Sequence, residues 1–377
     1  MRVAVLWTKL SGYMNVALQA MASHGCEILV VNEAAGCDAP FDRQQFEWIT
    51  HRYEFSGPPE FSKVVGAVES FEPDVILCSW HVPVYQRACL RLRGRVVRVG
   101  CGDNQWRGTL RQQLGRLIAP VHLRRFYDVL FMTGERQVTW ARKMGFAEER
   151  IWKGLYTCDI DAFGRAQTSR RPNVRAFLFA TRLSPQKGIP LLLKAYGLYR
   201  RRCQGLPWTL ILAGDGPLRT EVLNTPGVDW RGFVQPAELP AVFAEAACFI
   251  VPSLFEPWCV ALHEAASAGL PLIATTTCGA TVHLLQDGYN GCVVSPNSAE
   301  GLGAAMDRIA RKPAEELAEM GRRSAELSKQ FSPDRFANTV MERANEILPI
   351  IRRTVSLERT AAVVASQTTS QARPTDK

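Results

Sequence analysis

The chain has 377 residues, more than one hydrophobic core usually serves, so two domains are expected. With 47% hydrophobic and 21% charged residues it reads as a globular protein, and no apolar run reaches the length of a transmembrane helix. A net charge of +9 favours anionic partners, but the absence of any recognised binding module argues against nucleic acid. The 11 cysteines are scattered without CxxC or Cys/His spacing. Several fall in predicted strands (Cys78, Cys101, Cys248), which fits small apolar core residues in a reducing cytoplasm better than zinc ligands.

Val3–Leu6 reads as a first strand. Met1–Trp7 lacks the long apolar core and cleavage site of a signal peptide. Ser11-Gly12 turns into a helix over Val16–Ser23, which Gly25 ends, and Glu27–Val31 is the next strand. Pro73–Cys78, Arg95–Val99, Asp128–Met132 and Ile151–Leu155 follow as strands. Short loops between strands and helices predict a doubly wound parallel sheet, with ligands at the carboxyl ends of its strands. No GxGxxG follows the first strand, which disfavours a nicotinamide dinucleotide site.

Asp103 is the only acid between Arg87 and Arg125 and sits at the carboxyl end of a predicted strand. It is the candidate base or orienting group for an acceptor hydroxyl, although an Asp103-Asn104 turn explains it equally well. His81, after Cys78-Ser79-Trp80, is a poorer candidate. The same stretch carries ten arginines: Arg87, Arg91, Arg93, Arg95, Arg98, Arg107, Arg111, Arg116, Arg124 and Arg125. Leu110, Leu114, Leu117 and Ile118 recur at helical spacing. Three readings stay open for this basic segment 87–125: contact with an anionic membrane, a grip on an anionic acceptor, or a helix packing its leucines on its own domain.

In the second half, Phe177–Thr181 is a strand that feeds Arg182-Leu183-Ser184-Pro185-Gln186-Lys187-Gly188, and a helix begins near Ile189-Pro190. Arg182 offers a planar fork of donors and Lys187 a mobile charge, a pair suited to two adjacent phosphates or simply two exposed cations. Thr209–Ala213 ends in Gly214-Asp215-Gly216-Pro217, an ordinary tight turn, with Arg219 where a dinucleotide fingerprint has its third glycine. Cys248–Pro252 is a buried strand, Ser253–Pro257 a turn, and Trp258–Ala268 a helix with Pro257 at its first position. Gly269 and Pro271 stop that helix before the strand Leu272–Ala274. Glu256 is then expected at the helix mouth, where free N–H groups seat phosphate, and Glu264 about two turns further in. Two carboxylates beside a phosphate seat suit the vicinal hydroxyls of a nucleotide-sugar; the plainer reading is that Glu256 caps and Glu264 faces solvent.

Arg182…Lys187-Gly188, Ala213-Gly214-Asp215-Gly216-Pro217, Gly232-Phe233-Val234, Pro252-Ser253…Glu256…Glu264-Ala265…Gly269-Leu270-Pro271 and Asp287-Gly288-Tyr289-Asn290-Gly291 together resemble the GT-B glycosyltransferases of group 1, the retaining, GT4-like family. Order and spacing match over about 170 to 310. The resemblance implies an α/β chain of GT-B type, with two Rossmann-like doubly wound domains facing across a cleft. It also implies that Glu256 meets the donor sugar, Glu264 the ribose, and Arg182 and Lys187 the departing diphosphate. Asp103, Arg182, Lys187 and Glu256 form the expected catalytic set. Gly12, Gly214, Phe233, Val234, Trp258, Cys259, Val260 and Glu264 join Arg182, Lys187 and Glu256 in the expected donor-binding set. Two departures from the family stand out. His283 occupies a usual glutamate position, and no histidine follows the fifth strand.

Asp159-Ile160-Asp161 resembles the family linker more than a metal-binding pair, so no metal and no cofactor are expected. The expected domains are 1–165 on the acceptor side, 166–332 for the nucleotide-sugar, a helix over 333–353 crossing back to the first domain, and a disordered tail over 354–377. The expected function is retaining transfer of a hexose from a nucleotide diphosphate sugar to a hydroxyl of a glycan, lipid-linked or small-molecule acceptor. The expected setting is the cytoplasm, with a peripheral position on the cytoplasmic membrane face as the membrane reading of 87–125. A sugar-nucleotide epimerase of the same fold and a non-catalytic sugar-nucleotide-binding subunit are the alternatives.

Overall fold

The computed structural model describes residues 1–34 and 44–371, with side chains described as far as residue 353. β1 (Arg2–Trp7), α1 (Gly12–Ser23), β2 (Glu27–Glu33), β3 (His51–Phe55), α2 (Phe61–Phe71) and β4 (Val75–Ser79) open the first domain. α3 (Pro83–Arg91), β5 (Val97–Gly102), α4 (Leu110–Phe126), β6 (Val129–Met132), α5 (Glu135–Lys143) and β7 (Ile151–Lys153) complete it. Among the described residues its strands form one seven-stranded sheet in the order β3-β2-β1-β4-β5-β6-β7. Adjacent strands are parallel, as where Val3 pairs with Ile28 on one side and Val75 on the other. Unbroken apolar runs such as Val75–Cys78 and Val129–Met132 suit strands buried on both faces.

The second domain runs α6 (Ile160–Ser169), β8 (Ala176–Ala180), α7 (Ile189–Arg202), β9 (Thr209–Ala213), α8 (Arg219–Leu223), β10 (Val228–Gly232) and α9 (Leu239–Ala244). It continues through β11 (Cys248–Val251), α10 (Val260–Ser267), β12 (Leu272–Thr275), α11 (Thr281–Leu284), β13 (Gly291–Val294), α12 (Ala299–Ala310) and α13 (Ala314–Ser328). Its sheet, six-stranded among the described residues, has the order β10-β9-β8-β11-β12-β13. Strand order reverses between β1 and β4 in one sheet and between β8 and β11 in the other. Such reversals open a crevice at the carboxyl ends of the strands.

α14 (Pro333–Gln371) leaves the second domain and packs on α1. Its Phe336, Ala337, Val340, Ala344, Ile347 and Leu348 enter the core built by Val3, Val5 and Val30. Phe336 stacks on Phe131 with ring centroids 5.2 Å apart. Apolar burial of this kind, at about 25 cal/mol per Å², ties the chain end to the first domain.

Three sequence expectations need correction, and one open reading falls. The helix expected to stop near 353 carries helical backbone to Gln371, because 354–371 contains neither Gly nor Pro and is supplied with Ala, Glu and Arg. Residues 372–377 of the expected tail lie outside the described residues. The boundary at 165 falls inside α6, whose Phe163 and Ala166 pack in the second core, so the crossover lies earlier, at 154–159. α10 starts at Val260 rather than Pro257, because Cys259 takes a left-handed conformation with φ 89° that no helix continues through. Pro257 therefore precedes a turn, and Glu264 lies about one turn into the helix rather than two. Finally, of the three open readings of 87–125, packing of the leucines on the domain fails for Leu110, Leu114 and Leu117. Ala119 and Leu123 are the buried residues of α4, while Leu110, Leu114 and Leu117 are 83%, 68% and 71% exposed.

Candidate active site

The loops after β8 and β11 flank the strand-order reversal of the second sheet, and sequence brings them into contact. Gly188, with φ 78°, ends the loop after β8, and a Cβ there would lie 2.1 Å from the Pro252 carbonyl oxygen. Only glycine allows that approach. The Leu254 N–H donates to the Gln186 carbonyl at 3.0 Å, which locks the two loops together. Gly214, at φ 144°, performs the same service for the loop after β9, where a Cβ would meet the Thr181 carbonyl oxygen at 2.1 Å. The three βα loops thus form one floor.

On this floor Lys187 donates from Nζ to Oε2 of Glu256. Glu256 is 9% exposed and held by its backbone, in a parallel bridge to Cys278 with the Gly279 N–H donating to its carbonyl at 2.9 Å. Burial works against the Lys187 charge, but the Glu256 carboxylate more than offsets it, so the ammonium sits above its ordinary pKa. Arg182 is exposed at the start of the same loop. Glu264, half-buried on α10, has its carboxyl pushed up to about 7 by burial. Burial raises the Cys158 thiol, the Ser267 hydroxyl lowers it, and the Glu264 charge adds to the rise, so Glu264 lies near the crossover at Cys158.

Across the cleft, Asp103 follows β5. Burial raises its carboxyl above the ordinary range, and the Glu256 charge facing it adds to that rise. Tyr156 Oη donates to Asp103 Oδ2 at 3.4 Å, and the Tyr156 ring packs on Tyr13 at 4.7 Å. Asp103 lines a cavity of about 840 Å³ with Trp7, Lys9, Tyr13, Trp80, His81, Arg107 and the inner face of α4. His81 is therefore a wall of this cavity. Gly12 opens α1 opposite the loop after β10, where a Cβ would lie 3.5 Å from Pro236. Phe233 and Val234 are half-buried in that loop.

Three expected donor-site positions differ in kind. The Trp258 side chain is 1% exposed and packs on Phe331 at 4.8 Å, and Cys259 joins the same core. These two offer the cleft only backbone, because the left-handed turn at Cys259 sends their side chains inward. Val260 is half-buried at the first turn of α10. Asp159 accepts from the Ala162 N–H at 2.8 Å and caps α6.

Sequence reasoning missed the residues that join the domains. Gln105 Nε2 donates to the Pro257 carbonyl at 2.7 Å, and Gln137 Nε2 donates to the same oxygen. The Arg107 guanidinium lies 4.5 Å over the Phe255 ring, next to Glu256. The Glu135 N–H donates to His283 Nε2 at 3.0 Å. A Cβ on Gly134 would stand 2.5 Å from Trp258, so this contact depends on glycine. The position of Gln105, two residues after Asp103 on one loop, was the available signal.

Residues 174–312 match the family described as Glycosyl transferases group 1. An uncharacterized glycosyltransferase from Methanocaldococcus jannaschii is 28% identical over 142 residues, 36% of this chain and 35% of the relative. The glycogen synthase of Mycobacterium tuberculosis is 29% identical over 164 residues, 41% of this chain and 39% of the relative. The chain thus spans well under half the length of these curated relatives. HepE from Anabaena, solved in complex with UDP-glucose, superposes with a TM-score of 0.73 at 20% identity, covering 92% of this chain and 100% of HepE. The two parallel sheets and their helices have the GT-B arrangement of such structures.

Proposed function

With a glycosyl transferases group 1 domain set in a GT-B fold, we propose that this protein moves a hexose from a nucleotide diphosphate sugar to a hydroxyl, with retention at the anomeric carbon. The observation that carries the reading is the Lys187–Glu256 pair at the strand-order reversal, facing Asp103 across the cleft. Without donor these two charges neutralise each other. A diphosphate competes for Lys187 and Arg182 and releases Glu256 to accept hydrogen bonds from sugar hydroxyls. Glu264 accepts from the ribose. As the bond from the anomeric carbon to the phosphate oxygen breaks, its electrons stay on the diphosphate, where Lys187 and Arg182 stabilise them. The acceptor oxygen bonds to the same face of the sugar, and its proton passes to Asp103.

Two cations and the amides of the loop after β11 supply positive field at the leaving group, so the reaction proceeds without a divalent metal. The acceptor occupies the cavity beside Asp103, and its class is a lipid-linked or membrane-proximal glycan met at the cytoplasmic membrane face. UDP-glucose, the ligand of the Anabaena neighbour, is the first donor to test. Purified full-length protein is scanned for thermal shift against nucleotide-sugars, then assayed for nucleotide diphosphate release with and without acceptor. Acceptor-dependent release supports the reading. Donor epimerised without acceptor, or bound without turnover, overturns it in favour of an epimerase or a binding subunit.

A further inference from the structure

The outward face of α4 is apolar. Leu110, Leu114, Leu117, Ile118 and Val121 are exposed by 83%, 68%, 71%, 69% and 81%. At 100° per residue they fall within about 100° of arc, a single stripe along the helix. The opposite face buries Ala119 and Leu123 and lines the Asp103 cavity through Gln112, Gly115 and Ala119, while Arg111 and Ile118, at one border of the stripe, reach the cavity too. The helix has no acidic residue; Arg111, Arg124 and Arg125 stand exposed along the stripe, Arg124 also donating to the Gly145 carbonyl, while Arg116 is exposed on the far side. A soluble surface gains nothing from such a stripe, which holds five of the twelve large apolar side chains exposed among the described residues.

We propose that α4 is an interfacial helix that lays this stripe into an anionic lipid surface, with its arginines on lipid phosphates. This deepens the reading of the site as a glycosyltransferase that takes a membrane-borne acceptor, and rests on it for the acceptor alone. Charge selects the occupant. A second copy of this chain would bring the same arginines into opposition, whereas anionic headgroups complement them and acyl chains accept the leucines. Because the other side of the same helix is a wall of the Asp103 cavity, an acceptor carried on a lipid reaches the cavity mouth while its lipid stays in the bilayer. The arginines concentrate the protein at the surface and the stripe holds it there, so binding depends on both.

The test is flotation of the full chain with neutral phosphatidylcholine vesicles and with vesicles containing phosphatidylglycerol, each across a salt series. The expected result is flotation with the anionic vesicles that weakens as salt rises. The triple variant Leu114→Gln/Leu117→Gln/Val121→Gln should lose about tenfold or more of that binding, with an unchanged thermal shift on donor addition. Arg125→Glu should weaken binding and reduce its salt dependence. Absence of wild-type flotation with anionic vesicles at low salt overturns the proposal, as does undiminished flotation of the triple variant. Self-association that the triple variant abolishes, without vesicle binding, overturns it in favour of a second copy. The donor thermal shift is read separately, so a protein that floats but binds no nucleotide-sugar refutes the function reading and leaves the lipid surface standing.

Discussion

Replacing Glu264 by Gln should pull stability and donor affinity in opposite directions. Burial raises its carboxyl from the ordinary 4.5 to about 7, so the folded protein holds this proton over a pH range in which the unfolded chain has released it. Below about pH 4.5 both states are protonated and the group contributes nothing to the pH dependence of stability. Between 4.5 and 7 the folded state binds more protons, so stability falls as pH rises, and above 7 the full loss is present. Each pKa unit is worth about 1.4 kcal/mol, so the ionised carboxyl costs the donor-free protein up to about 3 kcal/mol at pH 8. Gln removes that cost. Calorimetry should show a melting temperature higher by up to about 6 °C at pH 8 and unchanged near pH 4.5. Nucleotide-sugar affinity should fall, because an ionised acceptor of ribose hydroxyls is lost, by about 1.5–3 kcal/mol or roughly 10- to 150-fold. Wild-type affinity should itself rise with pH through 7. A stability offset equal at both pH values, or an unaltered affinity, would refute both the burial argument and the ribose assignment.

Lys187→Met should lower kcat by about 10²- to 10³-fold with a smaller change in donor Kd, since charge on the leaving group grows in the transition state; equal losses in both would reduce Lys187 to a binding residue. Asp103→Asn should lower kcat by about 10²- to 10⁴-fold without altering donor binding, and the acid limb of the wild-type pH–rate profile should lie above the ordinary carboxylate value because burial raises this group. Excess chelator should leave turnover intact, and loss restored by manganese or magnesium would return a metal to the site. Gly134→Ala, with its Cβ 2.5 Å from Trp258, should cost about 1–3 kcal/mol and loosen the domain contact, read as a lowered melting temperature.

Legibility followed burial. Strands such as Glu27–Val31 and Cys248–Val251 were readable because both faces of a parallel sheet demand apolar side chains in nearly every position. β3 and β10 escaped notice because sheet edges tolerate the charges of His51–Phe55 and Val228–Gly232, which blur the pattern. β13 was hidden by the preceding turn, whose Asn290 is engaged below the surface with Leu284 and Ser324. Lys187, Glu256 and Asp103 were identifiable because each lies in a βα loop at a strand's carboxyl end. The contacts of Gln105 and Gln137 with Pro257 were not, since nothing local in either segment encodes a partner 152 or 120 residues away. The inside and outside of α4 were likewise illegible. Periodicity finds an apolar stripe but does not say which way it faces.

His283 shows what a departure from family pattern does physically. The resemblance puts a glutamate at this position. Here the imidazole turns instead to the first domain and accepts the Glu135 N–H at the start of α5. An acceptor at Nε2 requires a neutral ring with its proton on Nδ1. Burial lowers the His283 pKa, and the nearby Lys153 and Arg136 lower it further against the opposing pull of Glu135. The ring thus stays neutral at physiological pH, and the domain contact it makes persists. Gly134 leaves room for the ring, Trp258 packs beside it at 5.8 Å, and Gln137 from the same α5 holds Pro257. The imidazole thus makes this position part of the joint between domains.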